Sequence, residues 1–208
     1  MFPSLSIVRS TVCLVAALSL TSTEVPSKAS VAAQKSPALV TYKPNGEMLP
    51  PSNYREWIYL SSGLDMSYSA NPTDMTMFDN VFVNPDAYRS FLRTGSWPDK
   101  TVMVLEEREG RSKGSINKQG HFQGTNVMGM EVHVKDASRF PGQWAFFDFA
   151  SPTANGTLFP KSAACYSCHA AHGAVDTTFV QFYPTLLPIA RSKGTLSPEY
   201  VKESAAKQ

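Results

Sequence analysis

Five consecutive residues carry the densest chemistry in the chain: Cys165, Tyr166, Ser167, Cys168 and His169. Two thiols three positions apart on a helical turn share one face, so each can add to one vinyl group of a haem. The imidazole that follows then reaches the iron as an axial ligand. The spacing predicts one covalent haem c, held by Cys165 and Cys168, with His169 on the metal. Three other uses of the thiols compete. A thioredoxin-like redox pair follows a strand in a βαβ unit, and no such unit is legible. Zinc wants four well-spread ligands, and only His172 is added nearby. A disulfide across two intervening residues is strained.

The sixth position on such an iron is not set by any spacing. Met66, Met75, Met77, Met103, Met128, Met130, His121, His133 and His172 are all candidates by type. Each has an ordinary role as packing or surface. His172 lies one turn beyond His169 and does not easily reach the opposite haem face. An open sixth site, able to bind small ligands, is one expectation; a fixed sixth ligand and plain electron transfer is another.

The elements that must position these residues are preceded by a segment of different character. Arg9 and the apolar run Thr11–Leu20, followed by small residues, have the anatomy of a secretory signal peptide over residues 1–32. The apolar run is short for a bilayer, although an N-terminal anchor is the competing reading. Cleavage would remove Cys13 and leave two cysteines in an exported, periplasmic chain, where c-type haem attachment takes place. No other segment approaches a membrane span. Lys plus Arg total 19 and Asp plus Glu total 17, a net charge of +2, which excludes the basic footprint of a nucleic-acid binder.

Residues 33–50 read as an extended lead-in, 51–191 as the haem domain and 192–208 as a polar, frayed tail. Asn53 and Glu56 fit a capping box opening a short helix. Residues 61–76 are loop-like. Phe78–Val83, Thr101–Arg108, Phe122–Val134 and Gln143–Phe149 read as strands. Asn84, Pro85 and Asp86 start a helix whose Tyr88, Phe91 and Leu92 share a face, and Gly95 closes it. Asp176–Ala190 has helical spacing interrupted at Pro184. The order of elements predicts an α+β fold around a mainly antiparallel sheet. Along the strand at 101–108, alternation sends Met103, Leu105 and Glu107 to one face and Val102, Val104 and Glu106 to the other. Phe78, Phe122 and Phe146 are candidates for an apolar pocket wall, with core packing as their ordinary role.

YREW, MFDNVFVNPDAYRSFLRTGSWPDKTVMVLEERE, KGSINKQGHFQG, VKDASRFPGQWAFF, CYSCH and FVQFYPTLL occur in that order from Tyr54 onward. Together they resemble the cytochrome P-460 family. The resemblance implies a mainly antiparallel β domain with a few helices, usually dimeric, holding one five-coordinate c-haem near the C-terminus. One branch of that family bonds a strand lysine to the haem macrocycle and oxidises hydroxylamine. The other, cytochrome c-prime-beta, lacks the lysine and binds nitric oxide or carbon monoxide in an apolar distal pocket. The lysine position aligns with Leu105, which turns the expectation away from the cross-linked enzyme. Lys100, Lys113 and Lys118 flank that strand and are the remaining lysines to weigh. Glu131 matches an acidic family position and would accept protons near the iron; its ordinary reading is a solvent-facing strand residue. The implied partners are a small gaseous or nitrogenous ligand, a redox-partner cytochrome and a second copy of the chain. Three functions follow: redox chemistry on small nitrogen compounds, gas binding without turnover, and simple electron transfer.

Overall fold

Alternating apolar side chains at Val102, Val104, Val132 and Val134 leave two long segments with one fully buried face each. Such segments pair into a sheet rather than stand alone. The computed structural model describes residues 38–51, 53–68 and 75–206. Its centre is a six-stranded antiparallel sheet in simple sequential order: β1 (Ile58–Leu64), β2 (Met77–Val83), β3 (Val102–Arg111), β4 (Phe122–Lys135), β5 (Trp144–Phe149) and β6 (Thr157–Leu158). Four helices accompany it: α1 (Pro85–Thr94), α2 (Ala164–His172), α3 (Leu187–Lys193) and α4 (Pro198–Ala206). The fold is α+β, as the order of elements predicts. The signal-peptide reading of residues 1–32 lies outside the described residues. Among the described residues, no helix is long and apolar enough to cross a membrane.

Each face of the sheet has its own core. One packs Val102, Val104, Met130, Val132, Phe147 and Phe149 under Met48, Tyr54, Trp57 and Phe140. The segment before β1 is therefore part of the structure: Met48 is fully buried and bridges both Tyr42 and Gly156. The other face carries Leu60, Val83, Met103 and Trp144 beneath Phe91, Val180, Leu186 and Ala190. The second core leaves part of the sheet uncovered by helix, and that gap is the site described below.

Helix α1 begins at Asn84 and Pro85, but Asn84 does not cap it. Its Oδ1 instead accepts the Val102 backbone N–H at 2.8 Å and ties the helix start to β3. Gly95 ends the helix at φ 75°, a left-handed position that suits glycine. Ala87 and Phe91 are its buried residues, whereas Leu92 is exposed, since one helical step turns it about 100° from Phe91. Three further expectations are corrected. Strand β1 runs to Leu64 and so takes in the first four residues of the segment read as loop at 61–76. The stretch 176–190 forms a single turn at Val180–Phe182 and then α3, with Pro184 between them. Residues 198–206, read as frayed tail, form α4, which docks on α2 through a His172 Nδ1 to Glu203 Oε2 contact of 3.0 Å.

One charge is buried within the first core. Glu106 is only 2% exposed and points among the valines of β3 and β4. Tyr54 Oη–H, Arg55 and Arg108 all donate to its carboxylate. Burial pushes its pKa up, but the bonds from Arg108 and Tyr54 and the charges of Arg108 and Arg55 outweigh this, so the net shift is downward from 4.5. A lowered folded pKa adds stability above the unfolded value, and that stability is lost as pH falls through the folded one. Glu106→Ala should cost about 2–4 kcal/mol in denaturant unfolding, less than a fully buried pair because Arg55 is half exposed. Tyr54→Phe should cost about 1–2 kcal/mol. Glu106→Gln should flatten the loss of stability below about pH 4.5. An unchanged acid limb in that variant would assign the acid sensitivity to another carboxylate.

Candidate functional site

The CxxCH residues lie on α2, a helix too short to hold itself in place by propensity. Tyr166 anchors it to the sheet: its ring lies 4.5 Å from that of Phe146, and its hydroxyl accepts the Phe146 backbone N–H at 3.3 Å. Lys161 stacks over the same tyrosine. Cys165 and Cys168 are free thiols one turn apart, and both face a cavity of about 360 Å³ that His169 also lines.

His169 is the most constrained side chain of the site. Its ring lies 4.2 Å from Phe179, 4.7 Å from Phe146 and 5.0 Å from His133, centre to centre. Nδ1 is 2.7 Å from the Thr177 carbonyl oxygen. A carbonyl only accepts, so Nδ1 carries the proton and Nε2 keeps a lone pair. Burial, then the charge of His133, pushes the imidazole pKa down to about 4, so the ring is neutral at physiological pH. A neutral ring with a free Nε2 is the form that ligates iron.

The loop after α2 aims that carbonyl. Asp176 and Thr177 have φ values of 49° and 58°, and for a β-branched threonine this is a strained conformation. It persists because the loop is clamped on both sides. Lys135 pairs with Asp176 and donates to the Trp97 carbonyl at 2.9 Å. Thr178 Oγ1 accepts Trp97 Nε1–H at 2.8 Å and donates to the Val175 carbonyl at 2.7 Å. Gly173 completes the loop by its lack of a side chain: a Cβ there would stand 2.6 Å from the His169 carbonyl oxygen and 2.7 Å from the Thr177 carbonyl carbon.

The sheet supplies the opposite wall through three rows of side chains on one face. Met103, His133 and Phe146 are cross-strand neighbours, as are Val81, Leu105 and Glu131, and then Asp79, Glu107 and Gly129. Met103, Leu105 and Glu107, expected on one face, all line the cavity. Glu131 lies on it too, with His133 Nε2 3.5 Å from its Oε2. That contact outweighs burial and holds the Glu131 carboxyl below the usual carboxylate range.

Not every candidate is brought together. Phe78 does not line the cavity, because its neighbours Met77 and Asp79 do and successive strand residues face opposite ways. Phe122 is exposed on the far end of β4, and Phe146 packs against His169 rather than lining the cavity. Lys100 is drawn away by Asp136 and Ser138. Lys113 and Lys118 sit exposed beyond β3, and among the described residues no lysine lines the cavity. Of the sixth-ligand candidates, Met66, Met77, Met103 and His133 line it, whereas Met75, Met128, Met130, His121 and His172 do not. His133 crowds the ring of His169 itself. Asp79, Tyr68, Thr177, Phe179 and Tyr183 belong to the site and were not singled out from sequence. Alternation from Leu105 does reach Glu107, and pairing with Glu107 would have found Asp79.

The rival uses of the thiols find little support in this geometry. Among the described residues all paired strands are antiparallel, and no βαβ unit precedes α2. Among the described residues, no group of three or more His, Cys, Asp or Glu side chains is arranged to hold a metal ion alone. Two free thiols and a neutral imidazole, converging from one helix on a largely apolar, sheet-backed cavity, are the donor set of a haem cytochrome. A protein-family model described as Cytochrome P460 matches residues 51–180, more than half of the sequence, and the chain belongs to that family. Membership makes it a c-type haem protein and suggests action on nitrogen compounds. No curated protein matches the chain.

Gly173→Ala should force the loop off His169 and cost about 1–3 kcal/mol, the usual range for overpacking. Thermal unfolding and the haem content of the purified protein measure it. Wild-type values in both would show that the loop has room to spare.

Proposed function

We propose that the chain is an exported, homodimeric cytochrome in which Cys165 and Cys168 hold one covalent haem and His169 ligates its iron. The observation that carries this reading is the shared cavity of two free thiols and an imidazole whose Nδ1 is already committed to Thr177. Haem bound there would supply an iron able to take up a small nitrogenous ligand and exchange electrons with it.

The chain's own residues divide the remaining work. Thr177 fixes the ring of His169 and raises the basicity of Nε2. Phe146 and Phe179 keep water from that ring. Leu105 presents an apolar side chain where the resembling enzymes present a lysine, which supports an uncrosslinked macrocycle and an open distal site. Glu131 accepts a proton from a bound N–H or O–H, with His133 beside it to share the charge. Redox chemistry on compounds such as hydroxylamine or nitric oxide follows, with electrons passing to a partner cytochrome. A cavity wall without lysine among the described residues also favours a second reading, binding of nitric oxide without turnover.

Mass spectrometry and visible spectra of the purified protein test this. The intact mass should rise by that of one haem, and Cys165→Ser with Cys168→Ser should abolish the gain. The ferric spectrum should be high-spin and should shift with nitric oxide. A low-spin spectrum indifferent to added ligands would place a sixth protein ligand on the iron and leave electron transfer as the function. A strongly red-shifted ferrous band that survives denaturation would reveal a macrocycle cross-link. Turnover of hydroxylamine with an electron acceptor separates the enzyme from the gas binder.

A further inference from the structure

Among the described residues, every side chain of full charge on the cavity wall is an acid. Asp79 on β2 stands directly opposite Glu107 on β3, and Glu131 on β4 stands in the next row. Among the described residues, no lysine or arginine shares the wall with them. Glu106, next along β3, is a useful contrast, because two arginines and a tyrosine neutralise it on the other face. Among the described residues, the side chains of Asp79 and Glu107 have no ion-pair or hydrogen-bond partner. The fold makes room for this arrangement: a Cβ at Gly129 would stand 2.3 Å from Glu107 Oε2, so only a glycine lets that carboxylate lie flat on β4.

The groups register each other's field. Burial, then Asp65 and Glu131, pushes Asp79 up, and burial, then Asp79, Glu131 and Asp148, pushes Glu107 up.

We propose that Asp79 and Glu107 set the charge selectivity of the haem cavity, turning away anionic ligands and admitting small neutral or cationic ones. The proposal rests on the open-site reading above. Its physics is that of a charged cleft with low-dielectric walls: the field of unpaired carboxylates is focused into the space a ligand must cross and occupy. Glu131 adds to the field, with His133 Nε2 3.5 Å from its Oε2. Asp79 and Glu107 have no such neighbour among the described residues, and they are the residues whose neutralisation should change selectivity.

The test uses full-length, haem-loaded ferric protein, with azide as the anionic probe and imidazole as the neutral one. Binding is followed by visible spectra at a mildly alkaline pH, where azide is ionised and imidazole is uncharged. Asp79→Asn and Glu107→Gln should each tighten azide binding about tenfold, the effect of removing one nearby charge in a poorly solvated cleft. Imidazole binding should stay the same. Glu56→Gln, an exposed change of equal charge away from the cavity, should alter neither. In the wild type, azide affinity should rise with ionic strength while imidazole affinity stays flat. This salt series decides the matter even where a variant fails to load haem. Equal azide affinity in wild type and in both variants, or a flat azide salt series, with imidazole still binding, overturns the charge screen and leaves the open site intact. No spectral response to azide, imidazole or nitric oxide in any of the proteins overturns the open-site reading, and the charge screen with it.

Discussion

The hydrogen bond from His169 Nδ1–H to the Thr177 carbonyl is the constraint on which the site depends. It selects the tautomer, leaves Nε2 free and fixes the ring plane, all before any haem arrives. A bond of this kind contributes about 1 kcal/mol by itself. Holding Thr177 in a left-handed conformation costs about 1–3 kcal/mol, so the bond alone cannot sustain the loop. The difference is made up outside the loop. Trp97 receives the loop through Thr178, and Lys135 through Asp176, and both residues belong to the sheet side of the molecule. Aiming one carbonyl at one imidazole therefore draws on the α1–β3 connection, the end of β4 and the core around Phe91.

Strand β3 separates two electrostatic regimes within a single residue step. Glu106 faces the core between the sheet and the amino-terminal segment, where an ionised group is tolerable only with full compensation. It has that compensation from Tyr54, Arg55 and Arg108. Glu107 faces the cavity, where solvent or a guest supplies the compensation. Two adjacent glutamates of identical chemistry thus serve opposite ends: one stabilises the fold, the other gives the cavity its sign. A shift of β3 by one residue would exchange them, burying an uncompensated carboxylate and moving Val102 and Val104 out of the core, so the register is strongly determined.

Much of this was legible in the sequence because it rests on local rules. The spacing of Cys165, Cys168 and His169 is a single helical turn, the alternation along β3 is a period of two, and Asn84-Pro85 with Gly95 bracket a helix. Residues that become neighbours only through register were not legible. Asp79 meets Glu107 because β2 pairs with β3 in one particular alignment, and 28 positions of chain separate them in sequence. Phe78 was misplaced for the same reason: the strand was evident, but which of its faces met the cavity depended on pairing partners. Thr177 carries no signal at all, since a threonine is the last residue that backbone preference would assign to a positive φ. Helix α4 was missed because its stability comes from docking on α2 and not from an amphipathic stripe.

Leu105 gains its meaning from these rows. It lies between Val81 and Glu131 across the sheet and between Met103 and Glu107 along its strand. An apolar side chain there divides the wall into a dry end near His133 and Met103 and an acidic end at Asp79 and Glu107. A lysine at the same position would stand within one row of three carboxylates and pair with them, cancelling the field of the wall. With leucine, the carboxylates remain uncompensated among the described residues, and the cost of that must be borne by solvent or by whatever enters. A leucine at position 105 and an acidic wall left for solvent or a ligand to compensate are thus one physical arrangement.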